Sequence, residues 1–346
     1  MTTLFEALVG DKARTGAGHG PKPGIGVATI PDPRLAVVAR HVESRKVTPA
    51  MLTFVDIPGI DVGKGGSKTG GLLAAAREVD AICHVIRCFE SAGERAGRRT
   101  DPVGDIRTLD EELILADLAL VEPAVDRAAR PARAGDPDAK ARCALLTRVL
   151  EALNDGRPAR SIGELNPGDA TILRSYGLIS AKPVLYVANV GENDLAGAPE
   201  ASRRVADHAA EAGGESIALS AKLEAELAEL AEPDRIQMIE ALDLSEPAIG
   251  PLARAVNRLL GMVVFYTTSP KEIRAWTAPA EASAPEAAGI VHSDMQRGFI
   301  RAECYNVEDL EQHQSEKAIK AAGRLRSEGK HYRLRDGDVM RFLFNV

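Results

Sequence analysis

Aromatic side chains are scarce in this sequence: Phe, Trp and Tyr make up 4% of its 346 residues, and there is one Trp. The 45% hydrophobic content must therefore come mainly from aliphatic side chains, and it is large enough to bury a core. This excludes a chain that is disordered throughout. A length of 346 residues predicts two or three domains.

Long apolar runs are missing as well. No stretch of about 18 apolar residues occurs, so we expect no membrane span, no signal peptide and no membrane partner. The 43 Lys and Arg are outnumbered by 50 Asp and Glu, which gives a net charge of −7. This charge provides no chain-wide basic field, which argues against recognition of a DNA sequence.

Cysteine is the third scarce residue type. Cys83, Cys88, Cys143 and Cys304 form no CxxC pair and no Cys/His cluster at metal-binding spacing. The sequence therefore predicts neither a disulfide framework nor a structural zinc site, and the reducing cytoplasm is the expected compartment.

Four short apolar segments predict buried parallel strands, each ending where polar residues or glycine begin: 51–57, 81–89, 184–190 and 216–219. Such segments, alternating with helical patterns, are typical of a doubly wound α/β sheet. Apolar residues at helical spacing over 106–132 and 138–154 predict a helical hairpin inserted between two of these strands, over residues 109–179.

The pattern changes after residue 260. Strand-like segments occur at 263–267, 273–277, 288–292, 299–305 and 339–344, with one helical stretch at 308–328. A small mixed domain over residues 261–346 is the natural interpretation.

The first chemical motif is D-x-x-G, formed by Asp56 and Gly59 directly after the predicted strand 51–57. In P-loop nucleotide hydrolases this Asp faces the magnesium ion, and the glycine amide approaches the γ-phosphate. Alone the pattern is weak, because an Asp before a Pro-Gly turn is usually a turn former.

Two further motifs follow later strands. Asn189, Val190 and Glu192 match the N-K-x-D base motif of GTPases, with Val for Lys and Glu for Asp. The longer carboxylate crowds guanine and weakens a preference for it. Ser220 and Ala221 begin an S-A-K sequence of the type that closes over the base. Three motifs in the right order, each at a strand end, favour a nucleotide site over three unrelated loops.

Several longer segments carry a family resemblance: IPDPRL (30–35), FVDIPGI (54–60), DAICHVIRCFE (80–90), DIRTLDEELILADL (105–118), YVANVGE (186–192), EIRAWT (272–277), APEAAGIVHSDMQRGFIRAE (284–303) and DGDVMRFLFNV (336–346). On these segments the chain resembles the YchF family, the Obg-like ATPases, along nearly its whole length. The resemblance implies an α/β fold with three parts: a P-loop G domain with a doubly wound sheet (1–108 and 180–260), an inserted α-helical hairpin (109–179) and a C-terminal TGS-like β-grasp domain (261–346).

The resemblance also implies a function: binding and hydrolysis of ATP, or less selectively GTP, with Mg²⁺, in association with the ribosome or ribosomal RNA. It implies metal support from Thr2 and Asp56, and γ-phosphate sensing by Gly59. The full set of implied nucleotide-binding residues is Thr2, Thr3, Asp56, Gly59, Asn189, Val190, Glu192, Ser220 and Ala221.

Two departures from the family pattern leave the activity open. The family begins with a strand and G-x-x-N-V-G-K-S-T-L-F-N-A-L, and this chain opens inside that motif with Met1 at its Lys position. We therefore expect an N-terminally truncated chain without the P-loop, and the Gly-rich segment 63–71 lacks the spacing to replace it. Mg²⁺ with ATP or GTP is expected only if the missing loop exists upstream, and the chain from Met1 is expected to bind both nucleotides weakly or not at all. The magnesium-binding switch Thr aligns with Gly20. The alternative is a degenerate member that binds the ribosome or RNA independently of nucleotide.

A cationic segment provides the candidate RNA contact. Residues 317–341 contain eight Lys and Arg against three Asp and Glu, or +5 locally on an acidic chain. A solvated helix face is the simplest explanation, whereas the family resemblance favours phosphate contacts. The predicted ribosome or RNA contacts are Lys317, Lys320, Arg324 and Arg326.

Overall fold

The structure, a computed structural model, describes residues 2–10, 24–57, 67–90, 100–195 and 199–345. The chain forms two compact units, Met1–Gly26 with Val55–Ser245 and Val27–Phe54 with Glu246–Val346. The segment 27–54 thus packs with the C-terminal part of the chain. The three-part division expected from the resemblance stays a prediction.

The described strands are β1 Gly24–Thr29, β2 Val47–Thr48, β3 Met51–Asp56, β4 Ile82–Arg87, β5 Val184–Asn189, β6 Glu215–Leu219, β7 Met262–Thr268, β8 Ile273–Pro279, β9 Phe299–Asn306, β10 Arg326–Glu328 and β11 Asp338–Phe344. The described α-helices are α1 Thr2–Val9, α2 Pro33–His41, α3 Ser67–Glu78, α4 Pro102–Arg133, α5 Pro137–Asn154, α6 Pro167–Tyr176, α7 Glu200–Glu211, α8 Ala221–Glu229, α9 Glu232–Ala241, α10 Ile249–Leu259, α11 Ala284–Val291, α12 Ser293–Arg297, α13 Val307–His313 and α14 Glu316–Ala321. None of these helices combines the length and the apolar character needed to cross a bilayer.

The first unit contains a parallel sheet in the order β4-β5-β6. Its register aligns Arg87 with Asn189 and Asn189 with Leu219, so the carboxyl ends of the three strands lie at one edge. Every residue of β5 except the last is buried, as expected for the central strand of a sheet covered on both faces. The three predicted strands 81–89, 184–190 and 216–219 are confirmed.

The predicted strand 51–57 is present as β3, and its partner is a strand that the sequence pattern did not indicate. β3 pairs with β1 in a separate two-stranded sheet. The backbone N–H of Ile30 donates to the carbonyl of Ala50, and Gly24 lies beside Asp56, so the two strands run antiparallel. The strand 51–57 is thus observed, and its direction relative to β4, β5 and β6 stays a prediction. Its partner β1 alternates buried and exposed residues, so it lacks the continuous apolar run that marks the other strands.

The predicted helical hairpin is present. α4 and α5 are joined by a short turn at residues 134–136, and Asp136 caps the start of α5 by accepting from the N–H groups of Asp138 and Ala139. Their facing sides share a core that includes Ile114, Val121, Leu145, Val149 and Leu153. We call α4 and α5 the helical arm.

The second unit has a six-stranded sheet in the order β10-β9-β11-β7-β8-β2. Buried side chains lie on both of its faces, with Tyr266 in the core of one face and Phe265 in that of the other. The mixture of strands and helices expected after residue 260 is observed, and the sheet of this unit also includes β2 from the segment 27–54.

Two local predictions in this unit were wrong. Residues 288–292, expected as a strand, lie mostly in α11, because Ser283 and Glu286 form a capping box that starts a helix. The helical stretch 308–328 is broken into α13, α14 and β10, with Gln314 and Gly323 at positive φ after each helix. Short apolar runs do not distinguish helix from strand.

The IPDPRL segment is held inside the second unit by a polar network. Asp32 caps α2 and accepts a hydrogen bond from the Tyr266 hydroxyl at 2.5 Å. Arg34 donates to both Asp32 and Asp336. Burial alone would raise the pKa of the Asp32 carboxyl. The hydrogen bonds from Arg34 and Tyr266 outweigh this effect, so the pKa of Asp32 is lowered.

Candidate functional site

The base-motif loop and the S-A-K loop are joined directly. Asn189, the last residue of β5, accepts a hydrogen bond through Oδ1 from the backbone N–H of Ala221 at 2.9 Å. The N–H of Val190 donates to the carbonyl of Leu219 at 2.9 Å. Because both contacts lie at the carboxyl edge of the parallel sheet, they assemble the two motifs at the position where open α/β sheets bind ligands.

Glu192 is linked to the same pair of loops through an ion pair. It begins a short 3₁₀ helix, Glu192–Asp194, and its Oε2 accepts a hydrogen bond from Lys222 Nζ at 2.6 Å. Lys222 also lies 3.5 Å from Glu226. The hydrogen bond with Glu192 raises the pKa of Lys222. The carboxylate is 35% exposed, so it remains accessible to a ligand.

Two other predicted base residues have structural roles. Ser220 is buried and caps α8, its hydroxyl accepting from the N–H of Leu223 at 3.4 Å. The side chain of Val190 is 2% exposed and packs in the core with Ile86 and Val205. At the Lys position of N-K-x-D, this chain therefore places a core residue.

Asp56 and α1 approach each other around Gly24. Asp56 is half-buried at the carboxyl end of β3. A Cβ on Gly24 would lie 3.6 Å from the Asp56 Cβ and 3.3 Å from a ring carbon of Phe5 in α1. Thr2 and Thr3 are exposed in the first turn of this helix.

The same helix connects this region with the base loops, because α1 packs against α8. Gly59 and Gly20 lie outside the described residues, as do residues 63–66 of the Gly-rich segment, whereas residues 67–71 form the start of α3. Within the described ranges, no group of three or more His, Cys, Asp or Glu side chains forms a metal site.

A buried network behind the sheet was not anticipated from the sequence. Asp117 on α4 is fully buried and accepts from Arg77 at 3.0 Å and from the N–H groups of Ile179 and Ser180 at 3.1 and 2.7 Å. Lys182 donates to the carbonyl of Arg77 at 2.6 Å. The network ties the end of α3 to the helical arm. Its sequence signal is a carboxylate on the apolar face of α4.

The C-terminal cations differ in their surroundings. Lys317 and Lys320 on α14 and the following Arg324 are exposed. Arg326 instead donates to the fully buried carboxylate of Asp338 at 3.0 Å and lies 5.3 Å from the ring centre of Tyr332. Arg326 is therefore engaged within the unit, and the other three side chains are free to meet a ligand.

Comparisons with known proteins agree with these features. Residues 262–345 match the family model YchF-GTPase_C, described as a protein of unknown function (DUF933). The chain is 39% identical to "Ribosome-binding ATPase YchF" of Escherichia coli O157:H7 and 40% identical to that of Bacillus subtilis strain 168. Each match covers 100% of this chain and 96% of the relative.

A solved structure extends the comparison to the fold. The YchF GTPase of Schizosaccharomyces pombe matches with a TM-score of 0.84 and 25% identity, over 99% of this chain and 94% of that one. The expected fold class, a P-loop G domain with a YchF-type C-terminal domain, is thereby confirmed. With relatives near 40% identity over the whole chain, this protein belongs to the YchF family.

Proposed function

We propose that this chain is a cytoplasmic, ribosome-associated nucleotide-binding protein of the YchF type, acting on ATP or, less selectively, GTP. The observation that carries the proposal is the hydrogen bond between Asn189 and Ala221, which joins the two base loops at the carboxyl edge of the sheet. Relatives named for ribosome binding and ATP hydrolysis support the same function.

The base is held, in this proposal, by the loops of Asn189 and Ala221 with Glu192 at the rim. Guanine presents two neighbouring N–H donors, which a free carboxylate accepts with both oxygens. Here Lys222 already engages Oε2 of Glu192. Adenine presents a single exocyclic amine and needs one acceptor. The ion pair therefore supports binding of ATP at least as tight as that of GTP.

Magnesium would be held by the hydroxyl of Thr2 and the carboxylate of Asp56. Two protein oxygens suit this ion, because Mg²⁺ prefers oxygen ligands and keeps water and substrate phosphates in its remaining positions. When bound, Mg²⁺ would neutralise charge on the phosphates. The chain's own contribution is positional: Asp56 at the end of β3 and Thr2 at the start of α1 lie on elements that meet at Gly24.

Calorimetric titration of the full chain with ATP and with GTP, both with Mg²⁺, tests the proposal. Wherever nucleotide binding is measurable, ATP is expected to bind at least as tightly as GTP. A strong preference for GTP would contradict the assignment of the base site. Binding of neither nucleotide, together with co-sedimentation with ribosomes, would favour the alternative of a nucleotide-independent ribosome-binding module.

A further inference from the structure

The end of the helical arm carries an exposed group of cations. Three arginines occupy the last two turns of α4, and two further cations follow in α5: Arg127, Arg130, Arg133, Lys140 and Arg142. All five are exposed, and none of them has an ion pair within the described residues. We call residues 127–142 the arm tip.

The arm tip lies at the end of the long hairpin formed by α4 and α5. A helix of 32 residues is about 48 Å long, and Ala128 is the last buried residue of α4. Beyond Ala128 the helix ends in a turn of small residues, Ala134 and Gly135, which leaves the flanking side chains accessible. The exposed cations are therefore not explained by packing within the unit.

Nearby carboxylates do not neutralise the arm tip. Counting Asp136 and Asp138 within it and Asp126 directly before it, five cations minus three carboxylates leave +2 on a chain whose net charge is −7. The Asp136 carboxylate already accepts from the N–H groups of Asp138 and Ala139, at 2.9 and 3.2 Å. The cations of the arm tip thus retain their charge for an external partner.

We propose that the arm tip contacts the phosphate backbone of ribosomal RNA, an inference that rests on the proposed ribosome association. Arg127, Arg130 and Arg133 are spaced three residues apart, so they lie on one side of α4 and advance about 4.5 Å along its axis at each step. A row of cations on a narrow projecting hairpin suits a row of phosphates. Since these side chains bind charge and not base edges, the contact positions the protein without reading sequence.

The test compares two variants of the full chain with equal charge. The arm variant carries Arg127→Gln, Arg130→Gln and Arg133→Gln. The control variant carries Arg107→Gln, Arg203→Gln and Lys271→Gln, three exposed cations that have no ion pair in the described part of the chain. Both changes remove three positive charges. Affinity for ribosomes and for protein-free ribosomal RNA is measured by co-sedimentation over a range of KCl concentrations.

The arm variant should bind more weakly at every salt concentration, and its log–log salt slope should fall by roughly 2 to 3, since each lost phosphate contact removes about 0.7 to 0.9. The control variant should bind like the unsubstituted chain. Arg→Lys substitutions at the same three arm positions keep the positive charge and should preserve binding. This result would show that the Gln variant binds weakly because it lost charge and not because it misfolded.

Other outcomes overturn the inference in distinguishable ways. Equal loss in both variants would assign the effect to net charge, and unchanged binding of the arm variant would remove the arm tip from the interface. Loss on ribosomes without loss on protein-free RNA would identify a protein partner. If the unsubstituted chain does not co-sediment, the proposed ribosome association fails together with this contact.

Discussion

The side-chain oxygen of Asn189 and the backbone N–H of Ala221, 32 positions apart in the sequence, lie 2.9 Å apart and form one hydrogen bond. This bond joins the end of β5 to the start of α8. The ion pair between Glu192 and Lys222 reinforces the same junction. The arrangement allows the base site to be tested one contact at a time.

Replacing Asn189 with Ala should weaken both the junction and nucleotide binding. The substitution leaves the N–H of Ala221, a buried residue, without its acceptor, and such a loss costs about 1–3 kcal/mol. We expect a lower Tm and, if binding loses the same free energy, a loss in affinity for ATP of about 5- to 150-fold, since 1.4 kcal/mol corresponds to a factor of ten. Asn189→Asp retains an acceptor oxygen and should lower the Tm less. Calorimetry showing undiminished ATP affinity in Asn189→Ala would remove this loop from the site.

Replacing Lys222 with Gln should shift base preference towards GTP. The change frees Oε2 of Glu192, so both carboxylate oxygens become available to the two donors of guanine. Because the pair is exposed, the shift in the ratio of the two dissociation constants should be a few-fold. Glu226→Gln removes the other carboxylate near Lys222 and should leave the ratio unchanged. An unaltered ratio in Lys222→Gln would show that the ion pair has no part in specificity.

The C-terminal cations should separate into two classes. Arg326→Gln removes a donor from the buried Asp338 carboxylate and should cost about 2 kcal/mol of stability. The triple variant Lys317→Gln, Lys320→Gln and Arg324→Gln should leave thermal unfolding unchanged and reduce the salt dependence of ribosome binding. A large loss of stability in the triple variant would contradict the exposed placement of these three side chains.

Asp117→Asn should destabilise the first unit. The substitution removes the charge that partners Arg77 in a fully buried position, and breaking a buried pair costs roughly 3–5 kcal/mol. Asp126→Asn, on the exposed side of the same helix, is the matched control and should change stability little. Denaturant unfolding measures both. Similar midpoints for the two variants would show that the network around Asp117 carries little energy.

Stability of the first unit should fall as the pH drops from about 6.5 towards 4. Burial lowers the pKa of His84 to about 4, with smaller effects from the neighbouring charges. At a pH between about 4 and 6.5 the imidazole of His84 is protonated in the unfolded chain and neutral in the folded chain. Acidification through this range therefore favours unfolding, by about 1.4 kcal/mol per unit of pKa difference. His84→Leu should flatten this slope, and His331→Gln, at an exposed site, is the control. An equal slope in His84→Leu would assign the pH dependence elsewhere.

Local sequence signals predict several parts of the fold: strands β4, β5 and β6, both arm helices and the positions of the motif residues. Continuous apolar runs mark buried strands, and helical spacing on both sides of a turn-forming stretch marks the arm. The errors occurred where the local signal is ambiguous. β1 alternates buried and exposed residues, and the run 288–292 is short enough for either helix or strand. Family membership followed from long matching segments, which depend on sequence and not on geometry.

Other properties exist only in the folded chain. The bond between Asn189 and Ala221, and the engagement of Glu192 by Lys222, require two loops that β5 and β6 bring to one edge of a sheet. In the same way, Arg326 and Lys320 look alike in the sequence, yet one donates to a buried carboxylate and the other faces solvent. Composition and local pattern specify which side chains are available. Which of them remain free for a ligand depends on long-range packing, because burial and hydrogen-bond partners come from distant parts of the chain.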